Sequence, residues 1–274
     1  MHIWQEYFST SFTGAPAGFL SAAHLLQLGI GYLCATLLAV TLGRSRRHRT
    51  EQEKRLVLRY AAVFQLFFAA LKIAADCIDA GSPAPMLLSM PFYLCSIMFV
   101  ALPLAAFGKS RVARVMTDFV AIFGVLAAVA GAAGAAYIYK IYPALHIHTL
   151  ECLLTHVASG FAALYIWISH LATFRREDVP LTAGVLGAFM ILAVLSNALL
   201  ASTPYPTNYM FFSRSDGTPF LLFEKLFGAQ SILYALSTAL AMWLWWGVAG
   251  ALCSRLSHRA DHAQTSPSPH RQQE

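Results

Sequence analysis

What this chain has little of is charge. Only 12% of its 274 residues are Asp, Glu, Lys or Arg, against 58% that are hydrophobic. A soluble domain is about a quarter charged, so the composition argues against a water-soluble fold. Paired cysteine spacing is missing as well. Cys34, Cys77, Cys95, Cys152 and Cys253 show no CxxC pattern, and several stand inside apolar runs, where thiols are expected rather than bridges. No secretory signal is expected, because Met1 to Thr13 has no basic n-region and the first long apolar run has no cleavage site. The net charge of +6 suggests nucleic acid at first sight. The placement of the basic residues argues for membrane topology instead, and no nucleic-acid partner is expected.

Long apolar runs are what the chain does have. Seven are long enough to cross a bilayer: Gly18 to Leu42, Tyr60 to Ile78, Met86 to Phe107, Val115 to Ile138, His146 to Phe174, Leu181 to Ala201, and Phe220 to Cys253. The expected fold is therefore all-α, a polytopic bundle of seven transmembrane helices over residues 1–253. A Ser-, Pro-, His- and Gln-rich tail, 254–274, is expected to be disordered. Trp4, Tyr7, Phe8 and Phe12 precede the first run, as in a segment lying at headgroup level. The fourth run contains AAVAGAAGAAY, a composition that lets helices approach closely.

The basic residues orient the bundle. Arg44, Arg46, Arg47, Arg49, Lys54, Arg55 and Arg59 flank the first loop. Lys109, Arg111 and Arg114 follow in the third, Arg175 and Arg176 in the fifth, and Arg255, Arg259 and Arg271 in the tail. These fifteen of the nineteen Lys and Arg residues fall on one side. The opposite loops hold only Lys140 and Arg214. By the positive-inside rule the N-terminus is expected outside and the C-terminus in the cytoplasm. A multi-pass integral membrane protein follows, in the plasma (inner) membrane if the source is bacterial.

Within the third run, Pro91 removes a helical hydrogen bond and Cys95 follows one turn later. In lipid such a break survives only where protein or a cavity satisfies the freed carbonyl. That face is therefore expected to look inward. Entering from outside, Cys95 lies roughly 13 Å deep and His156 on the fifth run roughly 15 Å. Gln230 is expected near the same depth, with His24 somewhat shallower. Lys72, Glu151 and Asn197 also fall in the outer half, and buried ionisable groups usually face a cavity or each other. Lys72 and Asp76, four apart, are expected to pair, and Asp118 to hydrogen-bond a neighbouring helix. His148, Cys152 and His156 share one helix face but span about 12 Å, too far to converge on one ion. No metal site and no cofactor are expected. A Cys–His pair needs only proximity, since the thiolate is the nucleophile and imidazole can take its proton.

The runs FSTSFTG, FLSAAHLLQL, RYAAVFQLFF, MPFYLCSI, LLTHVASGFAALYIWI, PTNYMFF and DGTPFLL resemble those of bacterial YwaF-type membrane proteins, which are similar in turn to eukaryotic transmembrane protein 164. The resemblance extends over nearly all the crossings. The eukaryotic relatives move fatty acyl chains between phospholipids with a cysteine nucleophile. The resemblance thus implies a phospholipid acyltransferase with Cys95 as nucleophile, His156 as general base, and membrane phospholipids as partners. Tyr93 stands where the bacterial members usually have histidine, and Ser96 where they often have an acidic residue. Tyr93, Gln230, Asn197 and His24 are candidates for orienting the histidine or binding substrate, and Asn208 and Tyr209 for covering the entrance. A hydrolase would use the same pair and differ only in admitting water. A seven-helix transporter or sensor would use the pocket to bind, although the runs show no inverted repeat.

Overall fold

The computed structural model describes residues 2–132 and 134–265, and the described residues are all helix, turn and coil. In chain order they form α1 (His2–Tyr7), α2 (Ala22–Arg46), α3 (Glu51–Ala80), α4 (Pro85–Leu88), α5 (Met98–Phe107) and α6 (Ser110–Leu126). A π-helical turn (Ala127–Ala132) continues α6 into α7 (Ala136–Tyr139). There follow α8 (Ile147–Ile168), α9 (Val179–Leu200), a 3-10 turn (Tyr209–Phe211), α10 (Leu221–Phe227) and α11 (Ile232–Thr265). Among the described residues six helices are long and apolar enough to cross a membrane: α2, α3, the α6–α7 unit, α8, α9 and α11.

The helix at the centre is α8, which touches α2, α3, α5, α6, α7 and the π-helical turn. Its buried face is built from small residues, including Ala158, Ser159, Gly160, Ala162 and Ala163. Close approach is literal here. A Cβ on Gly124 of α6 would come within 2.7 Å of the Ser159 carbonyl oxygen, and one on Gly160 within 2.7 Å of Ala128. Between helices in lipid, van der Waals packing of this kind replaces the hydrophobic effect as the source of association. The outer helices present their large residues outward, as Leu25, Leu26, Ile30, Leu33 and Leu37 do on α2.

Two expected crossings are not continuous helices. Met86 to Phe107 consists of the single turn α4, an irregular stretch through Pro91 and Cys95, and the ten-residue α5, about 15 Å long, or half a bilayer core. The broken segment still runs the length of α3. Ser89 Oγ lies 3.4 Å from Lys72 Nζ at one end, and Arg55 donates to the Ala105 carbonyl at the other. Phe220 to Cys253 is likewise split, by a turn in which Gly228 and Gln230 both have positive φ. The chain beyond Cys253 stays helical to Thr265, so the first half of the expected disordered tail is part of α11. Residues 266–274 lie outside the described residues.

Loop ends are tied by conventional devices. Thr50 and Glu53 form a reciprocal capping box at α3, which ends on Gly81 at φ 59. Asp118 receives the backbone N–H groups of Thr173 and Phe174 at 3.1 Å each, pinning the chain that leaves α8. Asp178 binds Arg111 at 2.8 Å and Arg114 at 3.1 Å. The starts of α6 and α9 are therefore joined to one another at one end of the bundle.

Candidate functional site

Cys95 sits in the irregular stretch between α4 and α5, half-buried and packed against the main core. The Ser96 hydroxyl accepts from the Tyr93 amide at 3.0 Å and donates to the Tyr93 carbonyl at 3.2 Å, closing a tight turn around the thiol. Ser96, occupying the position expected to be acidic, thus acts as the clasp of this turn. The run did not remain helical because its freed groups have partners elsewhere: Tyr209 donates to the Leu87 carbonyl, and Lys72 reaches Ser89.

Glu151 and Cys152 of α8 lie within electrostatic range of the Cys95 thiol, and α5 touches α8 directly. The third and fifth runs are therefore in contact. On the same side, Asp76 bridges Lys72 and His148 at 2.8 Å each. The expected pair is present, with His148 as a third member. Among the described residues no three His, Cys, Asp or Glu side chains gather as metal ligands.

His156 lies one turn beyond Cys152. Its Nδ1 is 2.5 Å from the Cys152 carbonyl oxygen, which can only accept, so Nδ1 carries the proton and Nε2 the lone pair. Nε2 is buried and has no hydrogen-bond partner among the described residues. The ring packs closely against Gly131 in the π-helical turn, where a Cβ would stand 1.7 Å from Cδ2 and 2.0 Å from Nε2. No hydrogen bond joins His156 to Cys95. The thiol beside the ring is that of Cys152, 3.8 Å from Nδ1.

The remaining candidates divide. Tyr93 stays near Cys95, its ring edge-on to Tyr209 at 5.0 Å and tilted against Phe211 at 5.3 Å. Tyr209 is fully buried and anchors the loop between α9 and α10 to the Cys95 segment. Asn197 holds that anchor, accepting from the Tyr209 amide at 2.8 Å and donating to its carbonyl at 3.0 Å. Its amide is committed there rather than to His156. Asn208 is buried and staples the loop, donating to the Arg214 carbonyl and to Asp216. Gln230 is exposed in the turn between α10 and α11, where the expected crossing breaks, and its amide donates to the Ser213 carbonyl at 2.7 Å. His24 is fully buried and committed, with Nδ1 accepting from the Leu20 amide at 3.0 Å and Nε2 facing the Ala132 carbonyl at 3.4 Å. It closes the start of α2 rather than serving the site.

Two contributors were not singled out from the sequence. Gly131 shapes the space for His156, and the small-residue run around it was the available signal. Gln65, buried on α3, donates to the Thr155 carbonyl and to Ser159 on α8, and no spacing rule marks it.

A sequence profile of the TMEM164 family matches residues 19–249. The chain belongs to the TMEM164 family. That match spans every element from α2 to the middle of α11, and includes Cys95 and His156. No curated protein and no solved structure matches the chain. As a TMEM164-family member with six apolar spans, it is a multi-pass integral membrane protein.

Proposed function

We propose that this TMEM164-family protein transfers fatty acyl groups between membrane phospholipids, with Cys95 as nucleophile and His156 as the proton carrier. The observation that carries the reading is the break at Cys95. A half-buried thiol stands in irregular backbone of a helical membrane protein, packed against the main core. Irregular backbone within a bilayer is tolerated only where it is enclosed by protein or lines a cavity.

In the proposed reaction the Cys95 thiolate attacks the ester carbonyl of a donor phospholipid. The ester C–O bond breaks, and the departing lysophospholipid oxygen takes the proton that His156 removed from the thiol. A second lysophospholipid hydroxyl, deprotonated by His156, then attacks the thioester. The C–S bond breaks and the thiol is restored. No redox partner or soluble cofactor enters the balance. The ring and thiol must close to hydrogen-bond distance when lipid is bound, since unliganded catalytic contacts are often loose. The chain beside His156 is a π-helical turn, a feature frequent at functional sites. The charge bias supports an N-terminus outside and a cytoplasmic C-terminus, with lipid reaching Cys95 from the outer leaflet.

One observation favours a second reading, in which Cys152, the thiol beside His156, is acylated instead. Purified protein in phosphatidylcholine nanodiscs, supplied with a doubly labelled phospholipid, separates the two. Cys95→Ser and His156→Ala are expected to abolish transfer, and the double variant to be little worse than either. Cys152→Ala is expected to be milder. Transfer that survives in Cys95→Ser overturns the assignment of the nucleophile.

A further inference from the structure

A cavity of about 260 Å3 opens at the arginine-rich end of the bundle, away from Cys95. Lys54 on its wall and Lys72 near the Cys95 segment are roughly 27 Å apart along α3. The wall carries Lys54, Arg55, Arg114 and Arg175 against one carboxylate, Glu51. The three arginines have acidic partners: Arg55 pairs with Glu51 at 2.7 Å, Arg114 with Asp178 at 3.1 Å, and Arg175 with Glu177 at 3.6 Å. Lys54, only 9% exposed, makes no close ion pair among the described residues, and the Glu51 carboxylate whose field reaches it is already held by Arg55. A cavity wall whose cations outnumber its carboxylates favours a negative charge supplied from outside the fold.

The backbone adds to the same bias. Ser110, the first residue of α6, also lines the cavity, and the Lys109 cap of that helix makes no side-chain hydrogen bond to its open amides. A helix N-terminus with free N–H groups attracts anions. We propose that this cavity binds a phosphoryl group, with Lys54 as its counter-charge. The volume lies below the roughly 300–1,000 Å3 of sites that enclose drug-sized ligands, so the occupant is the size of a headgroup rather than a nucleotide cofactor. The phosphoryl group belongs either to an anionic lipid of the facing leaflet or to a soluble phosphorylated molecule. This site is independent of acyl transfer at Cys95.

The test uses the full-length protein in phosphatidylcholine nanodiscs at low salt, followed by thermal unfolding. Two probes are compared: phosphatidic acid in the disc and inorganic pyrophosphate in solution. At least one is expected to raise the unfolding midpoint. Lys54→Met is expected to bind it about tenfold or more weakly, since a charge-assisted contact is lost. Arg176→Met, an exposed change outside the cavity, is expected to behave as wild type. A rise with phosphatidic acid alone assigns a lipid headgroup, and a rise with pyrophosphate assigns a soluble source. No rise with either probe, or a rise that survives Lys54→Met, overturns the site and leaves Lys54 as a lysine extended toward water. If Lys54→Met does not fold, acylation of Lys54 in the wild-type protein gives the same answer. The bound probe should slow its labelling severalfold, and unchanged labelling counts against the site.

Discussion

Gly131 has no room for a methyl group. Alanine there would drive a carbon into the His156 imidazole, so Gly131→Ala is expected to turn the ring and to cost about 1–3 kcal/mol as an overpacking change. Acyl transfer should fall with it. Gly29→Ala on α2 meets nothing within 4 Å and should leave both stability and activity near wild type. A similar loss in the two variants, by thermal unfolding and transfer assay, would show that the close approach does not matter. His146 makes a separate prediction. Its burial, reinforced by the neighbouring His148, holds it down to about 4, from an ordinary value near 6.5. Nδ1 accepts from the His148 amide at 3.3 Å and Nε2–H donates to the Ser9 carbonyl at 3.1 Å, so the neutral ring is the one the fold uses. Below pH 6.5 the unfolded chain takes up this proton and the folded one does not. The contribution of His146 is therefore complete above 6.5 and is lost as the pH falls toward 4. His146→Asn, which can still cap α8, should flatten the dependence of the unfolding midpoint over that window.

The element that departs most from sequence expectation is the segment from Pro85 to Phe107. Pro91 was a legible sign that a helical bond was missing, but a proline alone bends some helices and ends others. Here the outcome depends on partners far away in the chain. Tyr209 takes the Leu87 carbonyl, and Asn197 holds the Tyr209 backbone in place to do so. Tyr209→Phe is expected to leave that carbonyl unpaired and to cost about 1–3 kcal/mol. The loop 202–219 should then become more sensitive to protease while the rest of the bundle remains protected. Cleavage rates equal to wild type would mean that the loop does not brace the Cys95 segment. α8 was likewise legible as an apolar run with a Cys–His face. Its place at the hub was not, since only the packing of Gly124, Gly160 and Ala128 reveals which helix the others surround.

At the scale of the whole molecule, the starts of α6 and α9 meet at one end through Arg111, Arg114 and Asp178. A reporter fused after Glu274 is expected to be active only if its chemistry requires the cytoplasm, and one within 202–219 only if it requires the outside. The reverse pattern would move Cys95 to the inner half and the Lys54 cavity to the outer face. Composition and local spacing alone determined that the chain is helical and membrane-embedded, where six of its spans lie, that Lys72 and Asp76 pair, and that one stretch packs closely. Each of these depends on neighbours in sequence or on the solvent a run of residues can tolerate. Tertiary structure decided the rest. It ended the helix before Cys95, gave Asp76 a second partner in His148, and turned Asn197 and His24 into structural ties. It also left Lys54 sharing its nearby carboxylate, Glu51, with Arg55. Those outcomes depend on which distant donor or acceptor reaches a buried polar group first, and in a medium without water every such group must find one within the fold.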